Sequence, residues 1–232
     1  MILAFESSAK SAGVALMKDG VLLAESFQHT ELTHSRTLLK MAEDLLARCE
    51  VSVSDLTAVA VAAGPGSFTG LRIGMAAAKG LAWGAELPCI GVSTLEAMAR
   101  NVALHDGVIA SVMDARREQV YFGLFRAEGG ELRRICEDCA LSLAEAKDRI
   151  LSQSGEKILV GDGASLCYNT FDEKRDLLLA PEHLRFQRAV GVALAAEIQL
   201  KEGGYPSASE LKLNYIRLSQ AERERANQLL TK

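Results

Sequence analysis

At 232 residues, 49% of them hydrophobic and 24% charged, the chain is long enough for one large domain or two small ones and has the polarity of an ordinary globular protein. A formal net charge of -4 argues against a dedicated nucleic-acid binder, which carries a basic balance or a basic stripe. The five cysteines, an odd number, fit reduced thiols better than a disulfide framework; no apolar run reaches membrane-spanning length, and the chain opens on a strand pattern without a charged leader, so a cytoplasmic protein with no membrane partner is expected.

Residues 1–5 read as a buried strand, 13–17 as a second and 21–27 as a third after the Lys18-Asp19-Gly20 turn, which makes a meander. A helix follows over about 36–49, capped by Thr33 or Ser35, with Leu38, Met41, Ala42, Leu45 and Cys49 at helical spacing. Leu39 and Leu46 widen its apolar arc beyond what one sheet contact needs, so this helix is expected to meet a second surface. His29 and His34 are five apart, not at the i, i+4 spacing of paired ligands on one helical face, and read as surface histidines.

Residues 58–63 form a short apolar run of the fully buried strand type, and 71–83 a helix rich in small helix formers. They are joined by Gly64-Pro65-Gly66-Ser67-Phe68-Thr69-Gly70-Leu71-Arg72-Ile73-Gly74, in which glycines suit backbone angles that other residues avoid and Ser67 or Thr69 can cap the helix. An anion at the helix start is one reading of such a turn. The motif spacings oppose it: no lysine follows as in a P-loop, Thr69 stands where a dinucleotide fingerprint needs a glycine, and a nucleophile elbow would need glycines at 65 and 69. On spacing alone a structural turn outweighs anion binding. Within the helix Gly70, Gly74 and Ala78 recur every four residues, as do Ala76, Gly80 and Gly84, giving two small faces of which its own sheet could use one.

From residue 108 the pattern restarts, with strands at 108–113, 119–125 and 131–136, a capping box Ser142-x-x-Glu145 opening a helix to about 151, a strand at 157–160, the Gly161-Asp162-Gly163 turn and a further helix. The order βββαβα thus occurs twice, which divides the chain into lobes 1–104 and 105–232. After the second repeat a helix is expected over 189–201, a turn at 203–206, a short strand or extended segment at 213–218, and a solvated helix or tail over 219–230. Cys136-Glu137-Asp138-Cys139 has the spacing of a zinc or redox pair but no companion ligands, so no metal site is expected.

The glycine turn as a string, together with Ile2-Leu3-Ala4-Phe5-Glu6-Ser7-Ser8, Gly91-Val92-Ser93-Thr94-Leu95, Asp114-Ala115-Arg116 and Tyr215-Ile216-Arg217-Leu218, resembles the TsaB (YeaZ) family of the tRNA threonylcarbamoyladenosine machinery over nearly the whole chain. The resemblance implies an α/β fold of the two-lobed, duplicated actin-like ATPase type, also described as ribonuclease H-like. It further implies a non-catalytic partner that activates or scaffolds the catalytic subunit TsaD during threonylcarbamoyl transfer to the adenosine beside the anticodon, in tRNAs reading codons that begin with A. The implied partners are TsaD, the ATPase TsaE, and a second copy of the chain when TsaD is absent; tRNA would be met only indirectly or within the complex.

In TsaD the segment after the same turn and helix carries two metal-binding histidines four residues apart. Thr94 and Met98 stand there in this chain, and a hydroxyl and a thioether do not replace two imidazoles. A glycoprotease reading would likewise demand a nucleophile or metal centre that is not legible here. The chain on its own is therefore expected to hold no cofactor, with ATP or ADP and magnesium entering in the complex. The nucleotide-like turns would be Glu6, Ser7 and Ser8 in one lobe and Asp114 and Arg116 in the other, with Glu6 in place of the expected aspartate. Arg116 and Arg117 would then bind phosphate, or fill its space by pairing with Glu6. The partner interface would draw on Leu38, Leu39, Ala42 and Leu46 of the first helix and Arg72, Met75, Ala76, Ala78, Lys79 and Gly80 of the second. The alternative is an independent ATP-dependent phosphotransferase of the same fold using Glu6 and Asp114 with magnesium.

Overall fold

Strands buried on both faces need apolar residues, and the first four positions of β1 (Ile2–Glu6) supply them, with Leu3 and Phe5 on one side and Ile2 and Ala4 on the other. It is the hub of a five-stranded sheet. In the computed structural model, whose described residues are 1–217 apart from Glu31, Glu173 and Gly204, β2 (Ala12–Lys18) and β3 (Val21–Gln28) complete an antiparallel meander beside β1. The helix α1 (His34–Arg48) then crosses to β4 (Ala58–Gly64), which lies parallel to β1 with Ala4 opposite Ala60. A second crossover, α2 (Phe68–Gly84), leads to β5 (Cys89–Ser93), and α3 (Thr94–Arg100) leaves the sheet. Leu218 and the tail expected over 219–230 lie outside the described residues.

The second half repeats the plan. β6 (Gly107–Asp114), β7 (Gln119–Glu128) and β8 (Glu131–Ser142) form the meander, α4 (Leu143–Leu151) crosses to β9 (Lys157–Val160), and α5 (Ala164–Asn169), β10 (Leu177–Leu179) and α6 (Glu182–Arg185) follow. The strand orders are β3-β2-β1-β4-β5 and β10-β9-β6-β7-β8, so each lobe has the same topology around its first strand. Ser142 closes the expected capping box, its hydroxyl accepting from the Glu145 amide at 3.2 Å while its own amide donates to the Glu145 carboxylate at 2.8 Å.

The two faces of the first sheet differ in bulk. Val59, Val61, Leu3 and Phe5 point toward α1 and α2, whereas Ala58, Ala60, Ala62 and Ala4 form a shallow face. That shallow face is covered by α7 (Ala189–Glu202), whose Ala189, Val192, Ala193 and Ala196 pack on it. Of the helices within residues 1–104, α3 reaches this face through Ala97, and the chain from 189 onward returns to the first lobe to cover it. A cut at 104/105 separates the two sheets but does not contain this return. α3 lies between the lobes: Leu95, Met98 and Ala99 join the core of the second sheet with Ile109 and Phe125, while Ala97 faces α7. Of the two readings of 213–218, a short strand or an extended segment, the strand is not formed within the described part; the Asn214 amide donates to the Ala63 carbonyl at 2.7 Å.

Candidate functional site

The glycine turn docks on the turn that ends β1. The Ser67 amide donates to the Ser8 carbonyl at 2.6 Å, and the Ser7 hydroxyl donates to the Gly70 carbonyl at 2.9 Å. A Cβ on Gly70 would overlap the Ser7 carbonyl, one on Gly74 the Ser7 hydroxyl, and one on Gly66 would lie 2.5 Å from the Ser8 carbonyl oxygen. These glycines therefore serve a close backbone approach within the chain. Ser67 is the helix cap, accepting from the Gly70 amide at 3.3 Å. The Gly70, Gly74, Ala78 face of α2 is consequently the one turned to its own sheet.

Glu6 is sealed beneath this junction. Its carboxyl is fully buried, one oxygen accepting the Ser8 amide at 2.6 Å and the other without a partner among the described residues. Burial pushes its pKa up to about 7 against the opposing Ser8 hydrogen bonds, and Asp162 of the second lobe adds to the rise. Of the two readings of Arg116 and Arg117, the pairing with Glu6 is not formed: the carboxyl is buried on the Ser8 amide and the arginines stand in the cleft wall. Asp162 is half-buried, accepts from Gln187 Nε2 at 2.7 Å, and is also held above the usual carboxylate range by burial. Asp114 turns one oxygen to the amide of Arg116 at 2.7 Å.

Between the lobes lies a cleft of about 510 Å³, bounded by Ser8, Lys10 and Ser67 on one side, by Asp114, Arg116, Arg117 and Asp162 on the other, and by residues 214–217. Thr94 and Met98 are buried where the lobes meet, and a Cβ on Gly161 would lie 3.1 Å from the Met98 sulfur. Among the described residues no group of three His, Cys, Asp or Glu side chains is arranged to hold a metal ion. Cys136 and Cys139 are free thiols, Cys139 lying 3.7 Å from the Phe122 carbonyl. Of the two histidines expected at the surface, His29 is exposed and packs edge-on against Phe186 with ring centres 4.5 Å apart, while His34 is half-buried with Nε2 2.7 Å from the Ala9 carbonyl oxygen.

The residues expected at a partner interface divide by exposure. Leu38, Ala42, Leu46, Met75 and Ala78 are buried in the core of the first lobe, where α1 and α2 meet their sheet. Their placement at an outer surface is corrected, since the wide apolar arc of α1 is used within the chain. Leu39, 58% exposed, stays outside, and so do Arg72, Ala76 and Gly80. Lys79 is half-buried and donates to the carbonyls of Leu211 and Ser209 at 2.9 and 3.3 Å. Sequence reasoning missed Trp83, 73% exposed at the end of α2; an isolated tryptophan beside a glycine on the Ala76, Gly80, Gly84 face was the available signal. It also missed the strap over α2: the Arg72 guanidinium lies 3.7 Å from the Phe68 ring centre and its Nε donates to the Tyr215 hydroxyl at 3.2 Å, while Arg217 reaches the Ala115 carbonyl of the other lobe at 2.7 Å.

The family model described as TsaD, tRNA N6-adenosine threonylcarbamoyltransferase, matches residues 28–199. The tRNA threonylcarbamoyladenosine biosynthesis protein TsaB of Bacillus subtilis is 36% identical over 165 residues, covering 71% of this chain and 72% of the relative. That of Escherichia coli is 38% identical over 165 residues, covering 70% and 71%. The solved structure of YeaZ from Pseudomonas aeruginosa superposes with a TM-score of 0.80 at 26% identity, over 92% of this chain and 98% of the other. With this similarity and with two lobes of repeated topology, the chain belongs to the TsaB (YeaZ) family of tRNA threonylcarbamoyladenosine biosynthesis proteins.

Proposed function

We propose that this chain acts as a non-catalytic partner in threonylcarbamoyl transfer to the adenosine beside the tRNA anticodon, activating or scaffolding a TsaD-type catalytic subunit. The observation that carries the reading is the outer face of α2, where Ala76, Gly80 and Gly84 leave the backbone open and, among the described residues, nothing outside the helix's own backbone and the adjacent residues lies within 4 Å of a Cβ at Gly80 or Gly84. Side chains this small let a second helix approach to backbone distance, and Trp83 in the same helix and Leu39 on α1 are exposed apolar side chains available to a partner. A TsaD-type paralogue presenting the equivalent helices would match that face, as would a second copy of this chain when the paralogue is absent. TsaE would join the assembled pair, and tRNA would be met through the complex.

The sealed Glu6 weighs against the alternative of an independent phosphotransferase. A magnesium-binding carboxylate must be ionised and must reach the cleft, whereas Glu6 is fully buried and its pKa is raised to about 7. ATP or ADP with magnesium is accordingly assigned to the complex. Reconstitution tests the reading: with TsaD, TsaE and the threonylcarbamoyl donor supplied, modification should require this chain, and the chain alone should not turn over ATP. Full modification with the chain omitted, or ATP turnover by the chain alone that is lost in Asp114→Ala, would refute it.

A further inference from the structure

Cys136 and Cys139 lie on β8, an edge strand of the second sheet, and the register with β7 shifts on both sides of Cys136. Leu124 stands opposite Cys136 and Phe122 opposite Cys139, so three steps along β8 are matched by two along β7. The extra residue is a bulge, and it leaves both thiols on one face. Phe122 and Leu124 belong to one core cluster of the second lobe, and both cysteines pack against that same cluster. Asp138, between them, is on the other face. A Cβ on Gly123 would meet Leu95, Phe125 and, at 3.3 Å, the Asp138 carboxylate, which accepts from the Ser93 hydroxyl and the Arg134 guanidinium. The bulge is thus anchored from behind. Positions two residues apart on a strand are roughly 6–7 Å apart, the upper part of the range of about 4.4–6.8 Å over which a disulfide joins two Cα atoms. β8 pairs with β7 alone, so its bulge can tighten without disturbing an inner ladder.

We propose that Cys136 and Cys139 are a reversible oxidation site, closing to an intrachain disulfide by exchange with a low-molecular-weight disulfide. Burial holds the Cys139 thiol above its ordinary range, with the neighbouring Cys136 adding to the rise, so Cys136 is the first nucleophile. Its thiolate attacks one sulfur of the small disulfide, whose S–S bond breaks as one small thiolate departs. A mixed disulfide on Cys136 results. Cys139 then attacks the Cys136 sulfur, the mixed bond breaks, and the second small thiolate departs. Arg149, with Nη1 3.8 Å from the Cys139 sulfur, favours the thiolate needed in this second step. Each departing thiolate takes up the proton that its attacker gave to solvent, so two protein thiols are oxidised while one small disulfide is reduced to two thiols. The site lies on the second lobe, away from α2, and does not rest on the partner role.

Equilibration of the full chain with graded ratios of oxidised to reduced glutathione, then acid quenching, alkylation of the remaining thiols in denaturant and peptide mass mapping, tests it. The tryptic peptide 135–147, which holds both cysteines, is expected to lose two hydrogens and to regain them on addition of dithiothreitol, while Cys49, Cys89 and Cys167 are alkylated. Because the bulge holds both thiols on one face, the folded chain should close the bond about tenfold more favourably than the same chain in urea. Neither Cys136→Ser nor Cys139→Ser should form an intrachain bond, and Cys139→Ser should accumulate the mixed disulfide on Cys136; circular dichroism checks the fold of both. A pair that stays reduced in oxidised glutathione alone, a bond to any other cysteine, closure no more favourable in the folded chain than in urea, or no mixed disulfide on Cys136 in Cys139→Ser would overturn the proposal.

Discussion

Ser7 and Gly70 meet backbone to side chain across the root of the first lobe, the Ser7 hydroxyl donating to the Gly70 carbonyl at 2.9 Å, and no room remains for a Cβ on the glycine. Gly70→Ala is therefore expected to destabilise the fold by roughly 1–3 kcal/mol, the usual cost of forcing atoms into a packed site. Gly80→Ala, in the same helix with open space around it, should instead stabilise by up to about 1 kcal/mol, the helix-propensity difference between the two residues. Urea denaturation of the two variants beside the parent chain measures both signs. Equal effects would contradict the assignment of inner and outer faces.

The same pair of faces marks the limit of what could be read from the sequence. Helical spacing groups Gly70 with Gly74 and Ala78, and Ala76 with Gly80 and Gly84, but both faces are small and periodicity does not say which one is turned inward. The three-strand meanders, β4, β9, the capping box at Ser142 and the doubled βββαβα order were legible because each rests on local pattern and short-range hydrogen bonds, whereas the edge strands β5 and β10 were not read. The return of α7 to the first lobe, the insertion of α3 between lobes and the Arg72–Tyr215 contact depend on partners far away in the chain, and no local pattern records them. Glu6 was legible as a turn acid at the end of a strand. Its burial follows from the glycine turn docking over it, which only the packed structure reveals.

Stability should fall as pH rises from about 4.5 to about 7. Folded Glu6 keeps its proton to about 7, against a reference value of 4.5, so in that window the folded chain binds more protons than the unfolded one. The contribution is full below the lower value and lost above the upper one, and Asp162, also raised, acts in the same direction. At ~1.4 kcal/mol per pKa unit, Glu6 alone accounts for a decline of about 3 kcal/mol. Glu6→Gln retains an acceptor for the Ser8 amide and carries no charge, so it should flatten the profile and exceed the parent in stability above neutral pH. Urea midpoints across this range decide the matter, and a slope unaltered in the variant would assign the dependence to other groups.

The strap over α2 should loosen when its aromatic clamp is removed. Arg72 contributes a stacking contact to Phe68 and a hydrogen bond to Tyr215, each worth on the order of 0.5–1 kcal/mol at a partly exposed site. Tyr215→Ala is expected to raise the exchange rate of the Asn214 amide, which donates to Ala63, by roughly tenfold through easier local opening, while amides of β1 keep their protection. Hydrogen exchange followed by residue reads both. Unchanged exchange at Asn214 would mean that the strap is held by its other anchors, the Lys79 and Leu211 contacts and the Arg217 bond to Ala115, without Tyr215.

Ala76 and Ala78 separate folding from association within one turn of α2. Ala78 is 0% exposed in the core of the first lobe, so Ala78→Glu buries an unpaired carboxylate, should cost roughly 3–5 kcal/mol, and would reduce association merely by damaging the fold. Ala76 and Gly80 are exposed on the outer face, where Glu leaves the lobe intact and places charge at the proposed helix contact. A homodimer formed through one two-fold patch meets each substitution twice, whereas a pair with a TsaD-type subunit meets it once. Ala76→Glu and Gly80→Glu should therefore abolish self-association first and weaken the mixed pair second, with circular dichroism unchanged; Trp83→Ala should weaken both to a smaller degree. Sedimentation of each variant alone and with the catalytic subunit, alongside the reconstituted modification reaction, gives the comparison. Association that survives all three outer-face substitutions would place the partner surface elsewhere on the chain and remove the observation on which the proposed function rests.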